Sequence, residues 1–481
     1  MTGDRGLSGP HLARLLGEWR SGGPAYAALA RAVRLLVLDG RLPLRTRLPG
    51  ERELAEALGV SRTTATAAYA ALREEGYLAS RRGSGSWTRL PADPGVAPGP
   101  GPVGAGGAVI DLSCAASAAP DGDLHAALAK ATSELPRHLP GPGYDAAGLP
   151  VLREAIAAYL SRLGAPTTSD QIFVSAGALH GLTLLLRVLS GPGDRVVVEH
   201  PTYAAALDAV RASGARPVPV PMLDDGWDLE MLASTFRQAA PGLAYLIADH
   251  QNPTGLSMSA GDRERLVALA RATRTPLVVD EAIVGLHLDG EPQRSVAALD
   301  EAGETVITIG SMSKTFWAGL RIGWVRANPS LINRLAAARA ALDISSPVIE
   351  QLMAVSLLEG AEPILARQRE AARARRDVLV SALRSELPAW RFSVPPGGLC
   401  LWVELDAPRS TALAALADRH GVRLGAGPRF GVDGAFERFV RIPYSLPADV
   451  LVDAVGRLSV AWRGVVSGGA PVSEAAPALV A

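Results

Sequence analysis

Eleven of the 18 residues from 91 to 108 are proline or glycine. Proline withholds a backbone donor and glycine loses the most conformational freedom on ordering, so neither a helix nor a strand ladder can propagate through this stretch. It therefore divides the chain of 481 residues into a short N-terminal piece and a long body, joined by a linker that is partly extended and partly flexible. Charge follows the same division. The formal net charge is zero, yet residues 1–90 carry 14 arginines against eight acidic residues, and the remainder is correspondingly negative. A basic end on a mildly acidic body points to a polyanionic partner for the first piece.

Other counts exclude whole classes. With 48% hydrophobic and 20% charged residues the chain has an ordinary globular balance, not that of a disordered one. Its two cysteines, Cys114 and Cys400, are too few for a disulfide framework or a four-ligand zinc site, and no metal is expected. No apolar run approaches ~20 residues and no leader pattern follows Met1, so neither a membrane span nor secretion is expected, and the chain reads as cytoplasmic. Only two lysines occur, Lys130 and Lys314, which leaves few candidates for amine chemistry.

The first piece is helical. Leu12, Leu15, Leu16 and Trp19 share one helix face, and Leu29, Val33 and Leu36 continue that spacing in a second helix. A short helix from Glu51 to Leu58 ends at Gly59, and Ser61 is a good N-cap for the next, which stops at Gly76. Tyr77–Ala79 and Ser86–Thr88 then flank a Gly-rich tip containing Arg81 and Arg82, the pattern of a hairpin. Two short helices and a basic hairpin describe a winged helix-turn-helix. Its second helix opens Ser61-Arg62-Thr63-Thr64 and offers hydroxyls, a guanidinium and free N–H groups to DNA. Arg62 reads a guanine edge or grips phosphate, and the spacing leaves both open.

After the linker, strands alternate with helices. Runs at Gln171–Val174, Arg195–Val198, Ala244–Ala248, Pro276–Val279 and Thr305–Ile309 predict a mostly parallel, doubly covered sheet. From about Asn333 a long Ala/Arg-rich helix is expected, then strands at Gly398–Leu405 and Arg438–Ile442 in a small α+β subdomain. The expected boundaries are an N-terminal helix over 1–23, the winged helix over 24–90, the linker, the α/β body over 109–463 and a flexible tail over 464–481.

Four elements at strand ends carry chemistry. Lys314, with Ser311 and Ser313 before it and Arg321 after it, suits a Schiff base to a phosphorylated aldehyde. Ser175-Ala176-Gly177 opens an apolar helix whose first N–H groups make an anion site. Asn252, in an Asn-Pro-Thr-Gly turn, can donate to a phenolate oxygen, and Asp280, ending a β-branched run, can pair with a pyridinium nitrogen. Singly each has an ordinary alternative: a surface lysine, a helix-entry turn, a plain Asn-Pro turn, a helix cap.

Two resemblances draw these together. Leu48-Pro49-Gly50-Glu51-Arg52-Glu53-Leu54-Ala55, then Leu58-Gly59-Val60-Ser61-Arg62-Thr63-Thr64, resembles the DNA-binding domain of GntR-type regulators, with Gly50 where that family has serine. The resemblance implies operator contacts from Arg52, Ser61, Arg62, Thr64 and the wing Gly83, to which the helix start adds Thr63 and the basic wing adds Arg81 and Arg82. From Ile110 to Trp462 the chain resembles the pyridoxal-phosphate enzymes of aspartate-aminotransferase type (fold type I). This implies that Lys314 makes the imine, Asp280 pairs with the ring nitrogen and Asn252 meets the ring hydroxyl. It implies further that Tyr203 stacks on the ring and that the N–H groups of Ala178 and Leu179, with Ser311 and Arg321, hold the phosphate. Tyr144 would reach the partner subunit's phosphate, and Arg441 would clamp a substrate carboxylate. In most relatives a tyrosine follows the aspartate by two or three residues; here Ala282 and Ile283 stand there, which implies impaired transamination.

Together the halves resemble the MocR family of bacterial regulators. That resemblance implies a homodimer binding double-stranded operator DNA, with pyridoxal 5'-phosphate, alone or condensed with an amine or amino acid, as effector and without efficient turnover. The alternatives are a working aminotransferase with an accessory DNA-binding domain, and a cofactor-binding scaffold.

Overall fold

The computed structural model describes residues 7–17, 19–20, 24–38, 42, 46–81, 85–89 and 109–467. The linker, the wing-tip residues Arg82 and Gly83 and most of the proposed tail lie outside the described residues. Two compact units emerge, one holding the N-terminal residues with Glu404–Val440, the other spanning Ile110–Val403 with Arg441–Ser459.

In the N-terminal region four helices, α1 (Gly9–Leu16), α2 (Ala25–Leu38), α3 (Glu51–Leu58) and α4 (Arg62–Glu74), precede a hairpin of β1 (Leu78–Arg81) and β2 (Gly85–Thr88). Leu12, Leu29, Val33, Leu54, Ala65 and Leu72 are buried in one core, each from the face its helical spacing assigns. Gly59 takes the left-handed conformation (φ 62°) that closes α3, and Ser61 Oγ accepts from Thr64 N at 3.1 Å to open α4. Tyr69 donates to Pro49 O at 3.0 Å, tying α4 to the start of α3. The hairpin is antiparallel, with Ala79 opposite Trp87. This is the winged helix-turn-helix expected.

The second unit begins with the short strand β3 (Ile110–Leu112) and holds an eight-stranded sheet. In chain order its strands are β4 (Ile172–Ser175), β5 (Arg195–His200), β6 (Arg216–Leu223), β7 (Gly226–Trp227), β8 (Leu243–Leu246), β9 (Leu277–Asp280), β10 (Val306–Ser311) and β11 (Gly323–Arg326). Their order across the sheet is β4-β11-β10-β9-β8-β5-β6-β7. The pairings from β10 to β6 are parallel, and β11 runs antiparallel to both β10 and β4. Val196–Val198 and Leu277–Val279 are wholly buried, as strands covered on both faces must be.

Two local expectations change. Strand β6 lies outside the expected runs, and Pro217, Pro219 and Pro221 interrupt it. They fall at alternate positions, so the missing donors all lie along one edge, and Val218 and Val220 remain to serve the parallel ladder with β5. The long helix from Asn333 is broken: helices run Pro329–Arg339, Val348–Glu359 and Ala361–Glu386. Pro347 ends the intervening turn, which is held by the buried Arg339 reaching Asp343 Oδ1 at 2.8 Å and Ser346 Oγ at 2.9 Å. The last stretch supplies β12 (Cys400–Glu404), β13 (Val422–Ala426), β14 (Phe439–Pro443) and helices Ser410–Arg419 and Ala448–Val466, the expected α+β mixture. Gly464 thus lies inside the last helix rather than in a tail.

Candidate functional site

The residues singled out in the body gather where the parallel strands end. Strand β4 stops at Ser175, whose Oγ donates to Gly177 O at 3.0 Å. Gly177 (φ 98°) then opens the 12-residue helix Ala178–Leu189 without any side-chain cap. The first N–H groups, those of Ala178 and Leu179, therefore face outward at the positive end of the helix dipole. A Cβ on Gly177 would stand 3.1 Å from Arg321 Nη2, and one on Gly323 would stand 2.7 Å from Gly177 Cα. The two glycines let β4 and β11 approach so that Arg321 leans over the helix start, where its Nη2 donates to Ala176 O at 2.6 Å. Ser311 sits opposite Gly323 in the ladder and accepts from Ser313 N at 3.1 Å. Main-chain N–H groups, a hydroxyl and a guanidinium thus lie at adjoining strand ends, donor types that suit an anion.

Neighbouring strand ends lead to an amine, a carboxylate and an amide. Lys314 lies in the turn Ser313–Trp317 that follows β10, and its Nζ donates to Ala115 O at 3.0 Å. Burial lowers its pKa and the nearby Arg441 charge lowers it further, which favours the neutral, nucleophilic amine. Asp280 ends β9 opposite Ile309 of β10. Its Oδ1 accepts from Ala282 N at 3.0 Å and its Oδ2 from the Tyr245 hydroxyl at 2.8 Å, while burial pushes its pKa up. Tyr203, at the N-terminus of the helix Ala204–Ala212, has a phenol pushed up to about 12, by burial first and then by the Asp280 charge.

Arg441, on β14, is wholly buried. Its Nη1 donates to Asn252 Oδ1 at 3.3 Å and its Nη2 donates to Ser113 O. Lys314 and Tyr203 each lie within electrostatic reach of both Asp280 and Arg441, Tyr203 also of Arg321, and Asn252 joins them through its bond to Arg441. Tyr144 differs, being 68% exposed.

Three residues that the sequence reading passed over support these loops. Glu199 ends the apolar run of β5, wholly buried; its Oε1 accepts from Trp227 Nε1 at 2.5 Å and Ile247 N at 3.0 Å, and its Oε2 from Gln251 Nε2 at 3.0 Å. Burial pushes its carboxyl up to about 8. Gln251 Nε2 also donates to Pro201 O at 2.8 Å, while its Oε1 accepts from Thr254 N and Oγ1 at 3.0 and 2.8 Å. With all its amide positions used, Gln251 ties the loop before Tyr203 to the loop that carries Asn252. The third residue is Tyr245. A glutamate after three valines was the available signal for the first; the others depend on strand register.

In the N-terminal region, Ser61 Oγ contacts the hydroxyls of Thr63 and Thr64 at 2.7 and 2.8 Å, and Arg62 and Thr63 are exposed. Arg52 is exposed and pairs with Glu56 at 3.1 Å, a surface bridge worth only ~0–1 kcal/mol, so the guanidinium is easily recruited elsewhere. Gly50 caps α3 with no side-chain bond. Arg81 ends β1.

Among the described residues no helix is long and apolar enough to cross a membrane, and no cluster of three or more ligating side chains suits a metal.

Comparison with known proteins bears on both regions. The family model described as aminotransferase class I and II matches residues 115–458, and that for bacterial regulatory proteins of the gntR family matches residues 25–87. The HTH-type transcriptional regulator YisV of Bacillus subtilis, itself described as uncharacterized, is 27% identical over 89% of this chain and 95% of its own. The probable rhizopine catabolism regulatory protein MocR of Rhizobium meliloti is 32% identical over 64% of this chain and 66% of its own. Among solved structures, the α-aminoadipate aminotransferase LysN of Thermus thermophilus, complexed with N-(5'-phosphopyridoxyl)-L-leucine, superposes with a TM-score of 0.70 at 26% identity, covering 75% of this chain and 93% of that one.

Proposed function

The chain belongs to the aminotransferase class I and II family and carries a gntR-type head, and from that premise we propose that it is a DNA-binding transcriptional regulator whose body holds pyridoxal 5'-phosphate to sense an amine or amino acid. The observation that supports this reading is the proximity of Lys314, Asp280 and Arg441, with Asn252 bonded to Arg441 and Arg321 leaning on Gly177, in a chain whose N-terminal region also carries an exposed, Ser61-capped helix.

The donor set fits that cofactor. A phosphate requires N–H groups and a cation, supplied by the Ala178 helix, Ser311 and Arg321. An aldehyde requires an amine, supplied by Lys314. A ring nitrogen would be met by the Asp280 carboxylate, a ring hydroxyl by Asn252 and a ring face by Tyr203. When bound, the cofactor supplies an electrophilic carbon and an electron-accepting ring.

The side chains then have definite tasks. Burial, with the Arg441 charge, shifts Lys314 toward its neutral, nucleophilic form. Asp280, held by two donors, presents a fixed carboxylate to the ring nitrogen. Arg441 offers a bidentate fork to an effector carboxylate, exchanging its bonds to Asn252 and Ser113 for that anion. Ala282 supplies a main-chain N–H to Asp280 but no phenol for the ring hydroxyl. Proton shuttling contributes ~10²–10⁴-fold to such chemistry and depends on tuned donors. The body is accordingly read as a sensor with slow turnover.

Tyr144, Leu139 and Ile344 are large hydrophobic residues left exposed. The family resemblance suggests a homodimer in which the exposed Tyr144 reaches the other subunit's site. Arg52, Ser61, Arg62, Thr63, Thr64, Arg81, Arg82 and Gly83 are the proposed operator contacts.

The test is twofold: visible absorbance of the purified protein with added pyridoxal phosphate, and selection of genomic fragments with and without it. Turnover of any common amino acid at ordinary enzyme rates (~1–10³ s⁻¹) would replace the sensor by a working aminotransferase.

A further inference from the structure

Tyr245 is the one side chain of β8 able to hydrogen-bond, set among Leu243, Ala244 and Leu246, all buried. Strand register places it beside Val278 of β9 and Val198 of β5, in the middle of the sheet. A phenylalanine would fill the same space, so packing alone does not explain the hydroxyl. That hydroxyl donates to Asp280 Oδ2 at 2.8 Å. With Ala282 N on Oδ1 at 3.0 Å, each oxygen of the buried carboxylate already accepts one bond. The bonds fix the carboxylate plane. They also spread its negative charge, because a donor bond stabilises the charged form and makes it a weaker base.

We propose that Tyr245 is a positioning residue that holds the Asp280 carboxylate and draws charge from it, so that a pyridine nitrogen paired with Asp280 keeps its proton less firmly than it would without that hydroxyl. The inference rests on the reading that pyridoxal phosphate binds at Lys314. The charged and titratable groups facing Asp280 from neighbouring elements are Lys314 after β10, Glu199 of β5, Tyr203 at the start of the helix Ala204–Ala212, and Tyr245 itself. Of these, Tyr245 is the one that bonds to the carboxylate through its side chain. A ring with a loosely held proton accepts less electron density. Condensation with an amine is then little affected, while removal of the α-proton slows. A hydroxyl in the sheet interior would thus bias the site toward sensing, independently of Ala282.

The full-length protein is loaded with pyridoxal phosphate labelled with ¹⁵N in the ring, and its nitrogen shift is followed against pH in three forms: unaltered, Tyr245→Phe, and 3-fluorotyrosine placed at 245 alone. Tyr245→Phe should raise the midpoint of ring-nitrogen deprotonation by about one pH unit, the scale of one charge-assisted hydrogen bond. The fluorinated phenol, a stronger donor that keeps the packing, should lower it. Exchange of an amino acid's α-hydrogen with solvent deuterium should quicken about tenfold in Tyr245→Phe, the rate equivalent of that shift. Equal midpoints in all three forms, or a lowered midpoint in Tyr245→Phe, would overturn the proposal. Failure of the unaltered protein to take up the cofactor would overturn the underlying reading instead. If Tyr245→Phe does not fold, the fluorinated form decides alone.

Discussion

Lys314 is the residue on which the body's chemistry turns. Lys130, the other lysine, pairs on the surface with Glu359 at 2.6 Å. Lys314→Ala should abolish borohydride-fixed cofactor and the visible band of the loaded protein, with weak non-covalent uptake remaining through the proposed phosphate contacts. Cofactor fixed at Lys130 in peptide mapping would refute the assignment. Buried carboxyls give a second expectation. Glu199 titrates at about 8, and Glu281 and Glu437 at about 7, in the folded chain against a usual 4.5, chiefly because burial disfavours their charge. A raised carboxyl pKa means that the folded state binds more protons than the unfolded one, so stability falls as pH rises from about 4.5 to about 8. His250 has the opposite sign. Burial lowers it to about 4 from 6.5, and its contribution is lost as pH falls through that window. Between pH 6.5 and 8 the three carboxyls, joined by the raised Asp280, outnumber the opposing amine of Lys314, whose pKa is lowered, and the melting temperature of the full chain should decline there. Glu281→Gln keeps the acceptor for Ser295 Oγ, which donates to Glu281 Oε1 at 2.7 Å, and should make that decline shallower. An equally steep decline in the variant would count against a titrating Glu281.

Among the elements, α4 is the one whose local chemistry predicts most. Its start was legible in the sequence because Gly59 and Ser61 are local signals: a left-handed closure and a hydroxyl cap act within four residues. Ser61→Ala should cost about 1 kcal/mol of stability in the head, measured by denaturant unfolding of the full chain, and should also weaken DNA binding. Arg62→Ala should weaken operator binding by ~1–3 kcal/mol if it contacts a base edge, and should weaken operator and random DNA alike if it grips phosphate. Operator affinity should also fall steeply with salt, because counterions released from DNA drive binding. Unchanged binding of Arg62→Ala to both DNAs would refute the recognition helix. The sheet shows where such legibility ends. The β-branched runs disclosed β5, β9 and β10, while β6 was hidden by prolines whose missing donors fall along one edge of the strand. Lys314, Asp280 and Asn252 were visible as residue types at strand ends. The Tyr245 bond to Asp280 was not, because it joins neighbouring strands 35 residues apart and register is a property of the folded sheet.

For the whole molecule, the proposal requires that events at Lys314 alter the affinity of a head separated from the body by residues 91–108. No contact path needs to be assumed, since thermodynamics sets the condition. An amine that binds the cofactor-loaded body changes DNA affinity only if it binds the DNA-bound and free forms unequally, and DNA must then change the affinity for that amine by the same factor. Couplings of this kind are typically ~5–150-fold. The operator dissociation constant is measured by fluorescence anisotropy across a series of amine concentrations, and the amine constant by cofactor absorbance with and without saturating operator. The two factors should agree. Arg441→Ala should lower them together for amino acids and leave simple amines unaffected, because Arg441 is proposed to engage the carboxylate that simple amines lack. The dimer enters through concentration: if Tyr144 completes the other subunit's site, Tyr144→Phe should weaken cofactor retention without changing the affinity of the heads for random DNA. An amine that saturates the body, yet leaves operator affinity unchanged for every operator recovered, would show that the body does not signal to the head and would favour the enzyme reading.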